Sequence, residues 1–253
     1  MIFWYAMWIW LHQLASPKYF YYRMGRVIPL LAIFALCLLV IGCMWGLVFA
    51  PPDYQQGDAF RIIYVHVPSA FMSMTLYVAM GFLALLLLIW RIKLAGVLLI
   101  ICAQIGACMA FLALITGSLW GKPMWGTWWI WDARLTSELI LLMLYAAILA
   151  MSGAYQNKEQ SDKVVAILTL VGLIDLPIIH YSVYWWNTLH QGATFTWFAP
   201  PKIAPAMLYP LLINLLGFAL FALLVIIMKT RYEILLRERR QRWVNQLIVG
   251  NVE

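Results

Sequence analysis

Histidine and tryptophan are the residues of this 253-residue chain best placed to do chemistry. There are four histidines, His12, His66, His180 and His190. Imidazole is the commonest metal ligand among side chains. Tryptophan offers a large flat apolar face with one polar edge. Five of the fourteen tryptophans, Trp120, Trp125, Trp128, Trp129 and Trp131, fall within the stretch WGKPMWGTWWIWD at 120–132. His66 lies in YVHVP, just before one apolar segment, and His190 lies in NTLHQG, just after another. A lone histidine is ordinarily a hydrogen-bonded structural residue. Two of them, in separate loops with an aromatic stretch between them in sequence, point to a flat ligand with a metal at its centre.

Zinc takes three or four compact donors, and the cysteines do not supply them. Cys37, Cys43, Cys102 and Cys108 all lie in apolar runs, in pairs six residues apart. Six residues turn a helix by about 600°, so pair members face different ways. No CxxC or CxxCH occurs, so the chain is not itself a c-type cytochrome. These cysteines read as small apolar filler. An iron macrocycle fits the histidines and tryptophans better, because haem iron takes axial imidazoles from opposite faces. Haem also carries two propionates, which need cations. Arg61 and Arg134 are candidates, since arginine clamps a carboxylate with two hydrogen bonds. Blander readings stand beside these. The tryptophans could form an interfacial belt, and either arginine could be an interfacial anchor. Arg134 could pair with Asp132. Asp132 itself reads equally as a ligand contact and as the N-cap of the next helix, with Glu138 favourable in its early turns.

The elements that must position these groups are set by composition. The chain is 65% apolar and 11% charged, with a mean hydropathy of +0.87. Soluble proteins are roughly half apolar and a quarter charged. The reading is an all-α integral membrane protein, one membrane domain over residues 1–253. Six spans of about 17–25 residues follow from the apolar runs. They lie near 27–49, 68–90, 94–119, 135–154, 164–184 and 206–228, and Pro68 suits a first helical turn. Gly121, Pro123 and Gly126 make 120–132 a loop, not a continued helix. Asp175 lies inside the fifth span, where carboxylates are functional candidates; with no cation in any span, it reads as a helix-to-helix hydrogen-bonding group. Residues 1–11 are too short to span and lack a basic start and a cleavage site, which predicts an interfacial segment or an upstream extension, not a cleaved signal peptide.

Charge sets the orientation. Thirteen Lys and Arg fall on the side of the termini, and only Arg61, Lys122, Arg134 and Lys202 on the other. The positive-inside rule then places both termini in the cytoplasm and the tryptophan-rich loop on the outer face. It also accounts for the net charge of +7 without nucleic acid. The basic tail at 229–253 is amphipathic and suits anionic headgroups or a cytoplasmic partner.

Longer motifs extend the pattern. WGTWWIWD at 125–132 resembles the tryptophan-rich WWD signature of haem-handling membrane proteins of cytochrome c maturation. APPDYQQG at 50–57, RIIYVHVP at 61–68, GKPMWGTWW at 121–129, PIIHYS at 177–182 and WWNTLHQG at 185–192 resemble, within that superfamily, the haem exporter protein C family. The resemblance runs from about Met7 to the basic tail. Residues 1–6 look extra to it, and Asp175 has no counterpart in the pattern. The resemblance implies a bacterial inner-membrane protein that binds b-type haem at its periplasmic face. It would present that haem for covalent loading onto a membrane-anchored periplasmic haem chaperone. Its implied partners are that chaperone, the ATPase and membrane subunits of an ABC transporter, a small single-span subunit and membrane lipid. By motif, His66 and His190 match the axial haem ligands, and Trp120, Trp125, Trp128 and Asp132 match the haem-binding loop, with Trp129 and Trp131 added as platform. The resemblance implies a haem-transfer or attachment component rather than a conventional enzyme, and the sequence leaves open whether it counts as an enzyme. Two rival classes remain. A b-type electron-transfer cytochrome needs histidine pairs inside spans, where only His180 falls. A small-molecule transporter with an aromatic gate would show repeats or broken midplane helices.

Overall fold

The computed structural model describes residues 15–186, 188, 190 and 203–249. Residues 1–11, His12 and Lys202 fall outside that set. Nine α-helices occur among the described residues: α1 (Pro17–Gly25), α2 (Ile28–Met44), α3 (Ile63–Trp90), α4 (Lys93–Trp125), α5 (Ala133–Ala154), α6 (Lys158–Gly172), α7 (Asp175–Trp185), α8 (Pro205–Arg237) and α9 (Arg242–Val249). A π-helical turn, Trp45–Phe49, extends α2, and a 3-10 turn, Asp58–Ile62, leads into α3. Six segments are long and apolar enough to cross a membrane: Ile28–Phe49, Asp58–Trp90, Lys93–Trp125, Ala133–Ala154, Lys158–Trp185 and Pro205–Arg237.

Local chemistry sets the ends. Asp132 and Asn157 are the N-caps of α5 and α6, accepting from Leu135 N–H and from the amides of Glu159 and Gln160. Gly126, at φ 78°, stops α4 in the left-handed conformation that glycine adopts most easily. Arg91, at φ 55°, makes the sharp reversal between α3 and α4. In the α2–α3 connection the Asp53 carboxylate accepts from the amides of Gln55 and Gln56, both at 2.9 Å.

Three boundaries differ from the sequence expectation. First, α4 runs on for 33 residues through half of the tryptophan stretch. Pro123 removes one hydrogen bond but sits in the last turn, so only 126–132 is non-helical. Second, α3 begins at Ile63, because the Asp58–Ile62 turn has already started the winding. Pro68 is therefore inside the helix and His66 is helical too. Third, the fifth span is two helices, broken between Gly172 and Asp175. Pro177 has no N–H for the Leu173 carbonyl and its ring crowds that carbonyl, which explains the break. The basic segment also starts helical, since α8 continues to Arg237.

The hairpin of α3 and α4 is the centre of the bundle. Helices α5, α6 and α7 pack on one side and the α2–α8 pair on the other. Small residues let the backbones close. A Cβ on Gly106 would lie 2.2 Å from the Tyr145 ring. Tyr145 is fully buried and donates to the Ser73 carbonyl at 2.7 Å, tying α5 to α3. At the end away from the tryptophans, Arg237 donates to both Asp162 oxygens (2.7 and 3.3 Å) and to Glu233 (2.9 Å).

Gly106→Ala overpacks the Tyr145 contact and is expected to destabilise by about 1–3 kcal/mol. Gly153, also helical, has no atom within 4 Å of a built Cβ. Gly153→Ala is therefore expected to stabilise by roughly 0.5–1 kcal/mol through helix propensity. Thermal unfolding of the two variants in detergent checks the opposite signs.

Candidate functional site

His66 stands on the first turn of α3 and reaches the turns of α4 that lead into the tryptophan stretch. Its Nδ1 lies 3.0 Å from the Ala113 carbonyl and 3.1 Å from the Thr116 hydroxyl. A carbonyl only accepts, so Nδ1 carries the proton and the lone pair is on Nε2. Thr116 Oγ1 donates back to Leu112 O at 2.7 Å. Gly117 lacks the Cβ that would sit 3.1 Å from His66 Cε1. Trp120 meets the imidazole edge-on at 5.6 Å, and its Nε1 donates to Gln56 Oε1 at 2.9 Å. Ala113, Thr116, Gly117 and Trp120 form one i, i+3, i+4, i+7 face of α4. The Asp53 turn sets Gln56, Gln56 fixes Trp120, and Trp120 backs His66.

His190 is placed by Asp132. Nδ1 of His190 donates to Asp132 Oδ2 at 2.8 Å, and the Thr188 hydroxyl donates to the same oxygen. The His190 amide returns to Thr188 Oγ1 at 3.1 Å. The other carboxylate oxygen, Oδ1, accepts from Leu135 N–H at 2.8 Å. Asp132 is thus both helix cap and imidazole orienter, so the two sequence readings are compatible. Burial raises the Asp132 carboxyl, but the hydrogen bonds from Thr188, Leu135 N–H and His190 outweigh it and hold it below the usual range. Burial lowers His190, and Asp132 recovers only part of that. The imidazole is therefore neutral near pH 7, protonated at Nδ1, with its lone pair on Nε2. Trp125 packs edge-on against it at 4.8 Å.

Both histidines line one cleft, which encloses about 450 Å³ of empty space including its open mouth. Arg134, Glu138 and Ile179 line it too. Glu138 was read only as a helix-start charge. It is buried and accepts from the Ser73 hydroxyl at 2.8 Å. Its position one turn after Arg134 was the available signal. No set of three His, Cys, Asp or Glu side chains able to hold a metal ion gathers among the described residues.

The other sequence candidates separate. Arg134 faces the cleft. Arg61 pairs with Asp58 at 2.9 Å and donates to the Leu47 carbonyl at 3.2 Å, and it is not part of the cleft lining. The five tryptophans do not make one sheet. Trp120 and Trp125 each back a histidine. Trp129 and Trp131 pack edge-to-face at 5.4 Å, with Trp129 Nε1 buried and unpartnered. Trp131 is 76% exposed. Lys122 lies over the Trp128 ring at 5.8 Å.

This constellation fits an iron macrocycle. Two neutral imidazoles have fixed tautomers and share an apolar-walled cleft, with one guanidinium available for a carboxylate. The family described as "Heme exporter protein C" matches residues 10–245. "Heme exporter protein C" of Escherichia coli K12 is 49% identical over 243 residues, 96% of this chain and 98% of the relative. The protein of the same name from Haemophilus influenzae is 48% identical over 241 residues, 95% and 98% of the two chains. A "putative cytochrome c biosynthesis ccmC-like mitochondrial protein" of Marchantia polymorpha is 40% identical over 222 residues, 88% and 94% of the two chains. The chain therefore belongs to the haem exporter protein C family.

Proposed function

We propose that this chain holds haem at the outer face of the bacterial inner membrane and presents it to a periplasmic haem chaperone during cytochrome c maturation. One observation carries the reading. His66 and His190 line the same cleft, and each has Nδ1 committed to a fixed acceptor, which puts the lone pair on Nε2. Metal-bound histidines characteristically donate their other ring N–H to a carboxylate or carbonyl, and here one does each. The family membership supports haem as the cargo. The excess of Lys and Arg beside both termini supports a cytoplasmic location for them and an outward-facing tryptophan end.

Haem is substrate here, held and then surrendered. His66 and His190 take its iron from opposite faces. Arg134 takes a propionate, and Trp120 and Trp125 keep the imidazole planes in place. Arg61 serves the same end only if it leaves Asp58. Trp128 and Trp131 form the exposed rim that a docking chaperone meets, with the half-buried Trp129 packed against Trp131. The chaperone histidine is brought against the macrocycle while one of the two ligands gives way. This chain contributes placement and axial tuning. The ABC transporter subunits and the small single-span subunit of this maturation system are the partners that release the loaded chaperone. An electron-transfer role suits the site less well, because both ligands stand at one end of the bundle and beside its opening.

The His66→Ala, His190→Ala double variant is expected to lose the low-spin, bis-imidazole absorption spectrum of purified protein, and each single variant to shift it toward a five-coordinate form. An unchanged spectrum in the double variant would sink the ligand assignment. Asp132→Asn keeps a good N-cap residue, so thermal stability should hold while haem affinity falls about 10–100-fold. Asp132→Ala should lose about 1 kcal/mol of stability as well. Haem titration beside thermal unfolding separates the two roles.

A further inference from the structure

A second cavity opens on the flank of the bundle. It lies between α3 and the broken α6–α7 span and encloses about 840 Å³ of empty space, open part included. Met74, Thr75 and Val78 of α3 line one wall, and Leu176, Pro177 and His180 line the other. The α3 residues follow the spacing of a single helix face, and Val78 is 56% exposed on a helix long enough to cross a membrane. The groove therefore faces the bilayer.

Three features distinguish it from a seat for an acyl chain. Met74 lines both this groove and the His66–His190 cleft, so its side chain stands between the two. Methionine is unbranched and has three rotatable bonds, so it can swing without disturbing the packing around it. His180 is the second feature. An imidazole is costly in an otherwise apolar membrane groove and gives nothing to a hydrocarbon tail, but it is an iron ligand. Spans two and five run in opposite directions, so His180 lies toward the end of the groove where α3 begins and carries His66. The third feature is the helix break. Leu173, Ile174 and Leu176 N–H make only long bonds of 3.3, 3.4 and 3.3 Å to carbonyls three residues back. Close by, Asp175 Oδ2 and the Tyr77 hydroxyl are buried without a hydrogen-bond partner. An orphaned buried polar group leaves a cost in place, which a small rearrangement of this wall relieves.

We infer that this groove is the membrane-side entry port of the haem site. Resting on the haem-holding reading above, it admits haem laterally from the bilayer, with His180 as a transient axial ligand and Met74 as the movable partition. Haem then passes to His66 and His190 by exchange of one imidazole for another at the iron. The Fe–N bond to His180 breaks as the bond to a final ligand forms, and no electron is transferred. A flat apolar macrocycle already dissolved in the bilayer need not cross water to reach its ligands.

The test uses the full chain, haem-free, in phosphatidylethanolamine–phosphatidylglycerol vesicles. Haem-bearing vesicles of the same lipids are mixed in, and the rise of the bis-imidazole spectrum is timed. Thr75→Trp fills the groove without touching the cleft lining. It should slow loading at least tenfold while the final spectrum matches wild type. His180→Ala should slow loading several-fold, again with the wild-type endpoint. Phe221→Trp, on the exposed side of α8, should load at the wild-type rate. The shared endpoint shows that the variants are folded, and if Thr75→Trp does not fold then His180→Ala carries the test alone. Wild-type rates in both groove variants would overturn the port and leave an acyl-chain groove only. If wild-type protein itself develops no bis-imidazole spectrum, the His66–His190 reading falls, and the port falls with it.

Discussion

The Asp132 carboxylate joins the fold of this protein to its site. Oδ1 closes the first turn of α5, and Oδ2 fixes His190 and Thr188. A helix that begins at a membrane surface exposes unpaired amides that must find acceptors, so a capping residue at 132 serves the fold whatever else the chain does. The same carboxylate then sets the tautomer of the imidazole. This coupling puts Arg134 and Glu138, in the first turns of α5, on the wall of the cleft that His190 closes. A shift in the cap would move ligand, cation and carboxylate together.

The partner face is built with less charge. Along α4, Ala113 supplies a carbonyl, Thr116 a hydroxyl, Gly117 space and Trp120 an aromatic edge, all on one face and all directed at His66. The two imidazoles are therefore oriented differently. His190 donates to a carboxylate and His66 to a carbonyl. An anionic acceptor makes the imidazole the more basic metal ligand, so the pair is intrinsically unequal. Under the proposed haem-holding role, such inequality suits a site whose cargo must leave, and the bond to His66 would be the weaker one.

Much of this was legible in the sequence, for physical reasons that differ by feature. The six spans were readable because hydrocarbon thickness fixes the length of an apolar run. His66, His190 and Asp132 stood out because polar groups are sparse in this chain. What stayed hidden depended on backbone geometry or on distant partners. Pro123 and Gly121 argued for a loop, yet a proline in the last turn of a long helix loses one bond, and tertiary packing kept α4 going to Trp125. A proline at 177 is visible in the sequence, but whether it kinks or breaks the span depends on the neighbours of Gly172, where a Cβ would collide with the Tyr77 hydroxyl. Arg61 looked like a cation for a ligand, since its nearby competitor Asp58 lay in a segment with no regular pattern. Glu138 was passed over because a glutamate early in a helix has an adequate local explanation.

The distribution of strong contacts along the bundle axis completes the physical account. At the end away from the tryptophans, Arg237, Asp162 and Glu233 bind α6 to α8, with Gly96 of α4 closed down on Asp162. Midway, Tyr145 and Ser73 join α5 to α3 without charge. Toward the tryptophan end the described residues are tied by the Asp132 carboxylate, the His66 bond to the Ala113 carbonyl, the Arg61 bonds to Asp58 and Leu47, one tryptophan–glutamine bond and edge-on ring contacts. Cooperative stability is set by the buried, multiply bonded regions, and segments with few such ties open at lower cost. A bundle anchored at one end and in its middle can let the other end adjust around a bulky planar guest while its transmembrane core stays intact. The orphaned Trp129 Nε1 belongs to that adjustable end. A buried donor left unpaired is tolerated where the surrounding loop must still change its partners.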